Sequence, residues 1–196
     1  MKRGKKKCHI YLFRHGGTVY NQKKIFTGWQ HSRLTQQGKR MSQHVAKKLR
    51  DKKIYVAFHT HLPRSIDTLK IVLKYHPECR QIIQDDRIIE RSYGDLELHS
   101  HANIIKKFGQ KNYEKWHRSY IGIPPKGESI KMVEKRVKSF INFLLKKMRS
   151  EKINVAISAH GNSMRPFRRY FEHLTIKKMM KLENPWDDYF DYVVEC

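Results

Sequence analysis

The sequence has 196 residues, 39% of them hydrophobic, and its 42 lysines and arginines against 18 acidic residues give a formal charge of +24 at pH 7. This is enough apolar material for the core of one domain over residues 1–196. No apolar run approaches the roughly 18 residues of a membrane span, and the apolar run that follows the basic N-terminus is too short for a signal peptide. We therefore expect a cytoplasmic protein with no membrane partner.

The predicted secondary structure alternates short apolar strands with longer amphipathic helices. In the first half of the chain we expect a strand at 8–13, a helix at 34–50 with Thr35 as its N-cap, a strand at 54–59, a helix at 64–76 and an extended piece at 81–84 that continues to 89. In the second half we expect a helix at 101–119 broken near Gly109, a helix at 128–149, a strand at 153–158, a helix at 161–174 and a strand at 189–195. This alternation predicts an α/β fold, a three-layer sandwich in which helices cover both faces of a mainly parallel sheet.

The positive charge is spread along the whole chain. Its only dense run is Lys5, Lys6 and Lys7, at the end of a basic segment 1–7 that we expect to be flexible. No motif that interleaves aromatic and basic residues appears, so a nucleic acid is not expected as the main partner. A lysine-rich proteome and a field that attracts small anionic substrates both remain as explanations of the charge.

Five polar side chains come just after predicted strands. Arg14 and His15 follow the first strand, Arg64 lies past the second, and Glu90 and His160 follow later ones. The carboxyl ends of the strands of an open α/β sheet form the ligand crevice. We therefore expect these five residues, which are far apart in the sequence, to meet in one place.

These residue types suit phosphoryl transfer. A guanidinium is a fork of donors that matches phosphate oxygens, and a neutral imidazole is a nucleophile, which two nearby guanidiniums keep neutral by repelling a proton. The glutamate can carry the proton to and from the bridging oxygen, and the second imidazole can donate to the transferring group. Each residue alone also fits a surface charge or a helix start, but the set is far more specific than its members.

No metal is expected at this site, because the arginines neutralise the phosphate charge. The pairs His59 and His61, and His99 and His101, have the spacing of metal ligands on a strand, but no third ligand with suitable spacing accompanies either pair. The three cysteines contain no C-x-x-C pair, so we expect neither a zinc knuckle nor a disulfide framework.

The stretches that carry these residues resemble a known family. LFRHGGTVYN at 12–21 resembles the R-H-G signature of the histidine phosphatase superfamily. Other stretches are similar, in order and spacing, to its cofactor-dependent phosphoglycerate mutase branch: FTGW at 26–29, LTQQGK at 34–39, ERSYGDL at 90–96, WHRSY at 116–120, PPKGES at 124–129 and SAHGNSMR at 158–165. The resemblance covers nearly the whole chain and implies the phosphoglycerate mutase-like fold.

The resemblance also implies a role for each matched residue. His15 would be the phosphorylated nucleophile, and Glu90 the general acid and base. Arg14, Arg64 and His160 would hold the phosphoryl group. The reaction would interconvert 3-phosphoglycerate and 2-phosphoglycerate, with 2,3-bisphosphoglycerate as the priming cofactor, and a homodimer is one of the expected assemblies. The implied substrate contacts are Asn21, Thr27, Gly28, Tyr93, His101, His117, Arg118, Gly161 and Asn162.

Several positions depart from the mutase pattern. Gly17 stands where the family has Glu or Gln, and Leu98 where it has Gly. His101 stands where the family has a substrate-binding lysine, and His117 where it has the first of two arginines. The sequence also ends after its last predicted strand, without the mobile tail of the mutases. A phosphatase of the same superfamily, with water as acceptor, is therefore the alternative function, whereas the intact phosphoryl-binding set argues against a non-enzymatic binding module.

His101 carries an expectation of its own. Histidine has an ordinary pKa of about 6.5, so a pocket that uses it in place of lysine loses a positive charge as the pH rises. If His101 lines the pocket, we expect the KM for phosphoglycerate to rise between about pH 6 and pH 8. The alternative is a solvated residue at the start of a helix.

Overall fold

The computed structural model describes residues 6–196 and has a five-stranded sheet at its centre. Neighbouring strands are parallel, except for the last strand of the chain, which runs antiparallel to the first. The mainly parallel sheet predicted from the sequence is confirmed. The strands are β1 (Lys7–Arg14), β2 (Val56–His59), β3 (Gln81–Gln84), β4 (Val155–Ala159) and β5 (Tyr189–Glu195), in the order β3-β2-β4-β1-β5.

The α-helices of the described residues are α1 (Val19–Gln22), α2 (Gln36–Leu49), α3 (Pro63–Leu73), α4 (His101–Arg118), α5 (Ile130–Glu151), α6 (Gly161–Phe171) and α7 (Ile176–Met180). Alternate residues of a strand point to opposite faces. Accordingly Ile10 and Leu12 of β1 pack with α5 and α6, whereas Tyr11 and Phe13 pack with α2 and α3. The three-layer sandwich is thereby confirmed, and none of the described helices is long and apolar enough to cross a membrane.

Most predicted elements agree with the structure to within a few residues. The Thr35 hydroxyl caps α2 by accepting a hydrogen bond from the Gly38 amide at 2.9 Å. The predicted break in α4 lies at Gly109, whose φ of 79° is accessible to glycine at little cost. The extended piece is confirmed only at 81–84, because a 3₁₀ turn at Asp86–Ile88 follows it. The short helices α1 and α7 were not predicted.

The structure describes the basic N-terminal segment from Lys6 onward, and the flexibility expected of residues 1–7 stays a prediction. Lys7 belongs to β1 and pairs with Glu195 of β5. The carbonyl of Lys6 accepts a hydrogen bond from the amide of Cys196 at 2.8 Å. Residues 1–5 lie outside the described residues.

Cys8 and Cys196 form a disulfide, which corrects the expectation from cysteine spacing. The two residues are 188 positions apart in the sequence, but β1 and β5 pair antiparallel, so the start of one strand lies beside the end of the other. Their Cα atoms are 6.1 Å apart, which is within the range that a disulfide requires. Of the three cysteines, Cys79 has a free thiol.

We expect removal of this disulfide to lower the free energy of unfolding by about 2–4 kcal/mol, because the bridge restricts almost the whole unfolded chain. The measurement is guanidinium unfolding of a double variant, Cys8→Ser with Cys196→Ser. Cys79→Ser is the matched control, since it removes a thiol without touching the bridge, and its stability should stay within about 0.5 kcal/mol of wild type. Equal stability of the double variant and the wild type would contradict a stabilising role for the bridge.

Candidate active site

The carboxyl ends of β1, β2 and β4 bring the predicted phosphoryl-binding residues together. β1 and β4 pair in parallel with Arg14 opposite Ala159, so the next residues, His15 and His160, lie side by side with ring centroids 5.1 Å apart. The amide of His15 donates to the carbonyl of Ala159 at 3.0 Å and extends the pairing. Arg64 enters from the first turn of α3, which follows β2. Neighbouring strand ends therefore account for this meeting of distant residues.

His15 is held as a neutral imidazole with a free lone pair. Its Nδ1 lies 2.8 Å from the carbonyl oxygen of Gly16, and because a carbonyl only accepts, Nδ1 carries the proton and Nε2 the lone pair. Burial, followed by the charges of Arg64 and Arg14, holds the pKa of His15 well below its ordinary value, so the ring is neutral at pH 7. The sequence indicated the two guanidiniums, but burial is the larger cause.

His160 is arranged as a donor. Its Nε2 lies 2.9 Å from the hydroxyl of Thr60, and that oxygen also accepts from the amide of Leu62 at 3.4 Å. When the hydroxyl donates to Nε2, the proton of the neutral ring lies on Nδ1, a buried atom without a hydrogen-bond partner among the described residues. Burial, and next the charge of Arg64, holds the pKa of His160 well below its ordinary value. The site thus has a buried donor that a bound oxygen could satisfy.

Arg14 supplies a second such donor. Its guanidinium stacks on the indole of Trp186, 4.3 Å from the ring centroid, and its Nη1 donates to the carbonyl of Asn184 at 3.2 Å. Its Nε is buried and has no partner among the described residues. Gly161 allows this arrangement, because a Cβ there would lie 3.3 Å from the guanidinium carbon. Arg14 is therefore fixed on one side and unsatisfied on the other.

Arg64 is buried under the FTGW segment. Its Nη2 donates to the carbonyl of Gly28 at 2.7 Å, and its Nη1 donates to that of Gln30 at 2.8 Å. Gly28 has a φ of 48°, and a Cβ there would overlap the carboxylate of Glu97, so glycine is required. Burial lowers the pKa of Arg64 to about 10, which leaves it cationic at pH 7.

Glu90 reaches the same place from the segment after β3. Its Oε1 accepts from the amide of Arg91 at 2.9 Å and from the amide of Asn162, at the start of α6, at 3.0 Å. Its Oε2 has no hydrogen-bond partner in the described part of the chain. A carboxylate oxygen of Glu90 and one ring nitrogen each of His15 and His160 lie within 4.8 Å of one another. Glu90 is therefore placed to exchange a proton with a group bound at His15.

The cluster of His15, Glu90 and His160 also has the composition of a metal site. Its electrostatic surroundings favour an anion instead, because the charges of Arg64 and Arg14 lower the pKa of both imidazoles. The same positive potential would repel a cation. The donor set consequently fits a phosphoryl group better than a divalent metal.

A cavity of about 280 Å³ opens at these residues. Arg14 and Glu90 reach its wall, whereas His15, Arg64 and His160 are buried, each with an exposed fraction of 2% or less. The structure brings all nine predicted substrate-binding residues to this wall, and their roles stay predictions. They are Asn21, Thr27, Gly28, Tyr93, His101, His117, Arg118, Gly161 and Asn162.

Six residues that line the cavity were not predicted from the sequence. Arg165 lies three positions after Asn162 on α6, so helical spacing within the SAHGNSMR motif could have found it. Phe26 belongs to the FTGW motif. The segment between α7 and β5 carried no motif that pointed to the site. The missed residues are Ile25, Phe26, Arg165, Leu182, Glu183 and Asn184.

Asn184 connects that segment to the phosphoryl-binding residues. Its carbonyl accepts from Arg14, and its side-chain amide donates to the carbonyl of Gly161 at 2.9 Å. Its Oδ1 accepts from Arg168 at 3.1 Å. The buried Asn184 therefore holds the Arg14 guanidinium in place relative to the start of α6.

His101 and His117 lie in the cavity wall, and His101 is not a solvated residue at a helix start. The Nδ1 atoms of His101 and His117 lie 3.1 and 2.8 Å from the hydroxyl of Tyr113. Burial, followed by the charges of Arg118 and Lys24, lowers the pKa of His101, and burial lowers that of His117 to about 3. Both rings are therefore neutral at pH 7. The free protein therefore loses the charge of His101 at lower pH than an ordinary histidine would, and the pH dependence of KM stays a prediction.

Leu98, which stands where the family has glycine, adopts a left-handed backbone with a φ of 68°. Its amide donates to the carbonyl of Phe26 at 2.9 Å, so the turn is fixed against the FTGW segment. Its side chain is 54% exposed and contributes little burial. A residue with a Cβ costs about 1–2 kcal/mol in this conformation.

We expect Leu98→Gly to raise the free energy of unfolding by about 0.5–1 kcal/mol. Glycine removes the strain of the left-handed backbone, and the greater conformational entropy of glycine in the unfolded chain offsets part of that gain. The measurement is denaturant unfolding at constant m-value. Leu98→Ala is the matched control, because it shortens the exposed side chain but keeps the Cβ and its strain. A gain as large in the alanine variant as in the glycine variant would assign the effect to the side chain.

Comparison with known proteins places this site in a family. The model for branch 1 of the histidine phosphatase superfamily matches residues 10–188. A 2,3-bisphosphoglycerate-dependent phosphoglycerate mutase of Cytophaga hutchinsonii is 33% identical over 166 residues, which are 85% of this chain and 78% of that protein.

Two solved structures show the same fold. A phosphoglycerate mutase from Bacillus anthracis superposes with a TM-score of 0.76 at 19% identity, over 97% of this chain and 89% of that one. The alpha-ribazole phosphatase from Shigella flexneri superposes with a TM-score of 0.79 at 20% identity, over 96% and 94%. The family model, the curated relative and the sheet topology agree. The chain belongs to branch 1 of the histidine phosphatase superfamily.

Proposed function

We propose that this chain is a 2,3-bisphosphoglycerate-dependent phosphoglycerate mutase that interconverts 3-phosphoglycerate and 2-phosphoglycerate through a phosphohistidine on His15. The observation that carries the proposal is the lone pair of a neutral His15, which lies among unpartnered buried donors of Arg14 and His160. The mutase name of the 33% identical relative supports this substrate over other small phosphomonoesters. A homodimer and a cytoplasmic location stay predictions from the sequence.

The first step transfers the phosphoryl group to the protein. Nε2 of His15 attacks the phosphorus of a bound phosphomonoester, and the P–N bond forms as the bond from phosphorus to the leaving oxygen breaks. Protonated Glu90 gives its proton to that oxygen. Arg14, Arg64 and the Nδ1–H of His160 meet the charge on the three phosphoryl oxygens.

The second step returns the phosphoryl group to a different oxygen. The carboxylate of Glu90 takes the proton of the acceptor hydroxyl, whose oxygen attacks the phosphorus as the P–N bond breaks. The electron pair returns to Nε2, and His15 is neutral again. The hydrogen bond from Nδ1 to the carbonyl of Gly16 keeps the ring oriented throughout both steps.

The priming cofactor, 2,3-bisphosphoglycerate, supplies when bound the phosphoryl group that first loads His15. The residues present fit a ligand with two anionic ends, because Arg118 and Arg165 line the cavity in addition to Arg14. Nε of Arg165 is buried without a partner among the described residues. Arg118 and Arg165 would hold the end of the cofactor that is not being transferred.

A phosphatase of the same superfamily is the second candidate. It would use the same first step and water as the acceptor in the second. The specific observation in its favour is that His101 and His117 are neutral at positions where the mutase pattern has cations. A site with fewer fixed cations binds phosphoglycerate less tightly, so water more often takes its place as the acceptor of the phosphoryl group.

The experiment that tests the proposal is a coupled assay with 3-phosphoglycerate and enolase, run beside a measurement of inorganic phosphate and with or without 2,3-bisphosphoglycerate. A mutase forms 2-phosphoglycerate and depends on the priming compound. Release of phosphate that is faster than the formation of 2-phosphoglycerate, and independent of the priming compound, would replace the mutase with the phosphatase.

A further inference from the structure

One side of the cavity is an aromatic wall made by Phe26, His101 and His117, and the ring of Tyr113 contacts all three. The ring of Phe26 stacks on that of His101 with centroids 4.2 Å apart and meets that of His117 edge-on at 5.3 Å. The hydroxyl of Tyr113 lies between the Nδ1 atoms of the two imidazoles, at 3.1 and 2.8 Å. Neither Nε2 has a hydrogen-bond partner in the described residues. Each ring is therefore held by its Nδ1, and its Nε2 is free to meet a ligand.

The number of protons in this wall limits what it can donate. A tyrosine hydroxyl has one proton, so it can donate to only one of the two Nδ1 atoms. The other imidazole must then donate from Nδ1 to the hydroxyl oxygen, and its Nε2 is a lone pair. While both rings are neutral, the wall therefore presents at most one Nε2–H to the ligand. Two Nε2–H donors require one more proton.

We propose that Tyr113 makes His101 and His117 a proton-accepting clamp: binding of the substrate's carboxylate takes one proton from solution, so that both Nε2 atoms donate to its two oxygens. The inference rests on the proposed function for the identity of the carboxylate, and it assigns Tyr113 as a positioning residue. A carboxylate only accepts hydrogen bonds, so it would face a lone pair of the neutral wall and gains a donor from the added proton.

The charges around the wall decide which ring takes the proton. Arg118 and Lys24 act on His101, whereas Arg118, Arg91 and Arg165 act on His117, which is also the more deeply buried of the two rings. His101 therefore takes the proton more readily. The other titratable groups that face the pair are the hydroxyls of Tyr113 and Tyr93, and the carboxylates of the cavity wall are those of Glu90 and Glu183.

The direction of the pH effect follows from linkage. The bound carboxylate raises the pKa of the imidazole pair above its value in the free protein, so binding is tightest at low pH. Between those two pKa values the affinity for the carboxylate falls by up to about tenfold per pH unit as the pH rises. The pH dependence of KM expected from the sequence then belongs to the complex rather than to the free protein.

The test counts protons by isothermal titration calorimetry at pH 7.5 in buffers of different ionisation enthalpy. The ligands are 3-phosphoglycerate and glycerol 3-phosphate, which share a phosphomonoester and differ by a carboxylate against a hydroxymethyl group. All proteins carry His15→Ala, which prevents turnover. We expect binding of 3-phosphoglycerate to take up more protons than binding of glycerol 3-phosphate, with one proton per bound molecule as the upper limit. Equal uptake by the two ligands would overturn the proposal.

Two variants give the proposal independent tests. In Tyr113→Phe both neutral rings can place their proton on Nε2, so the excess uptake should disappear although 3-phosphoglycerate still binds. In His101→Lys a fixed cation replaces the titrating ring, and the excess uptake should also disappear. Tyr75→Phe, which removes an exposed hydroxyl remote from the cavity, is the control and should keep it. An undiminished excess in folded Tyr113→Phe would overturn the role of Tyr113.

Failure of this inference is distinguishable from failure of the proposed function. Mutase activity in the coupled assay together with equal proton uptake would remove the clamp and leave the mutase. Excess proton uptake without formation of 2-phosphoglycerate would remove the mutase and leave a carboxylate-binding clamp.

Discussion

His15→Ala is expected to lower phosphoryl transfer by at least about 10⁴-fold, because the variant has no group that can form the covalent intermediate. His160 is not placed to substitute for it: its Nε2 is hydrogen-bonded to the hydroxyl of Thr60, and when that hydroxyl donates, the ring proton lies on Nδ1. The measurement is the rate in the coupled assay. It is joined by labelling from a phosphorylated substrate, which should give an acid-labile and base-stable label on His15 of the wild type.

The control for this prediction is His44→Ala, which removes an exposed imidazole from α2 and should leave the rate unchanged. Thermal unfolding of both variants separates loss of the nucleophile from loss of the fold. Since burial and two guanidiniums hold the pKa of His15 well below its ordinary value, protonation of His15 should not lower the wild-type rate between about pH 8 and pH 6.5. Turnover within about tenfold of wild type in His15→Ala would end the phosphohistidine mechanism.

The phosphoryl-binding residues could be predicted from the sequence because the fold places them by a simple rule. Arg14 ends β1, and His15 and His160 follow β1 and β4, which are neighbours in the parallel part of the sheet, so their meeting depends only on strand ends. Arg64 lies in the first turn of α3, the helix that follows β2. Apolar periodicity is enough to predict those strands, and the chemistry of the residue types then indicates the reaction.

The rest of the site depends on contacts that no local pattern records. Asn184 accepts a hydrogen bond from Arg14 and belongs to a segment that carries no motif. This segment leads into β5, which pairs with β1, the strand that ends at Arg14. The same pairing joins Cys8 to Cys196. The titration of His101 could not be predicted either, because its pKa is set by burial, which is a property of the folded chain. Spacing could identify the residues of this wall but not their protonation.

Glu90→Gln is expected to lower kcat by about 10²–10⁴-fold, because an amide can neither give a proton to the leaving oxygen nor take one from the acceptor hydroxyl. The substitution is close to isosteric. The amide oxygen of glutamine can still accept from the amides of Arg91 and Asn162, which fix the carboxylate in the wild type at 2.9 and 3.0 Å. The start of α6 should therefore keep its place, and the loss should fall on the chemical step.

Binding of phosphate and vanadate separates proton transfer from structure in this variant. A glutamine at position 90 cannot place a negative charge beside the bound anion, so the affinity for either oxyanion should stay unchanged or increase. Glu114→Gln, on the exposed face of α4, is the matched control and should change neither affinity nor rate. The opposite pattern, a collapse of vanadate binding with turnover of bound substrate preserved, would make Glu90 a structural anchor for α6. The proton would then have to come from another group or from solvent.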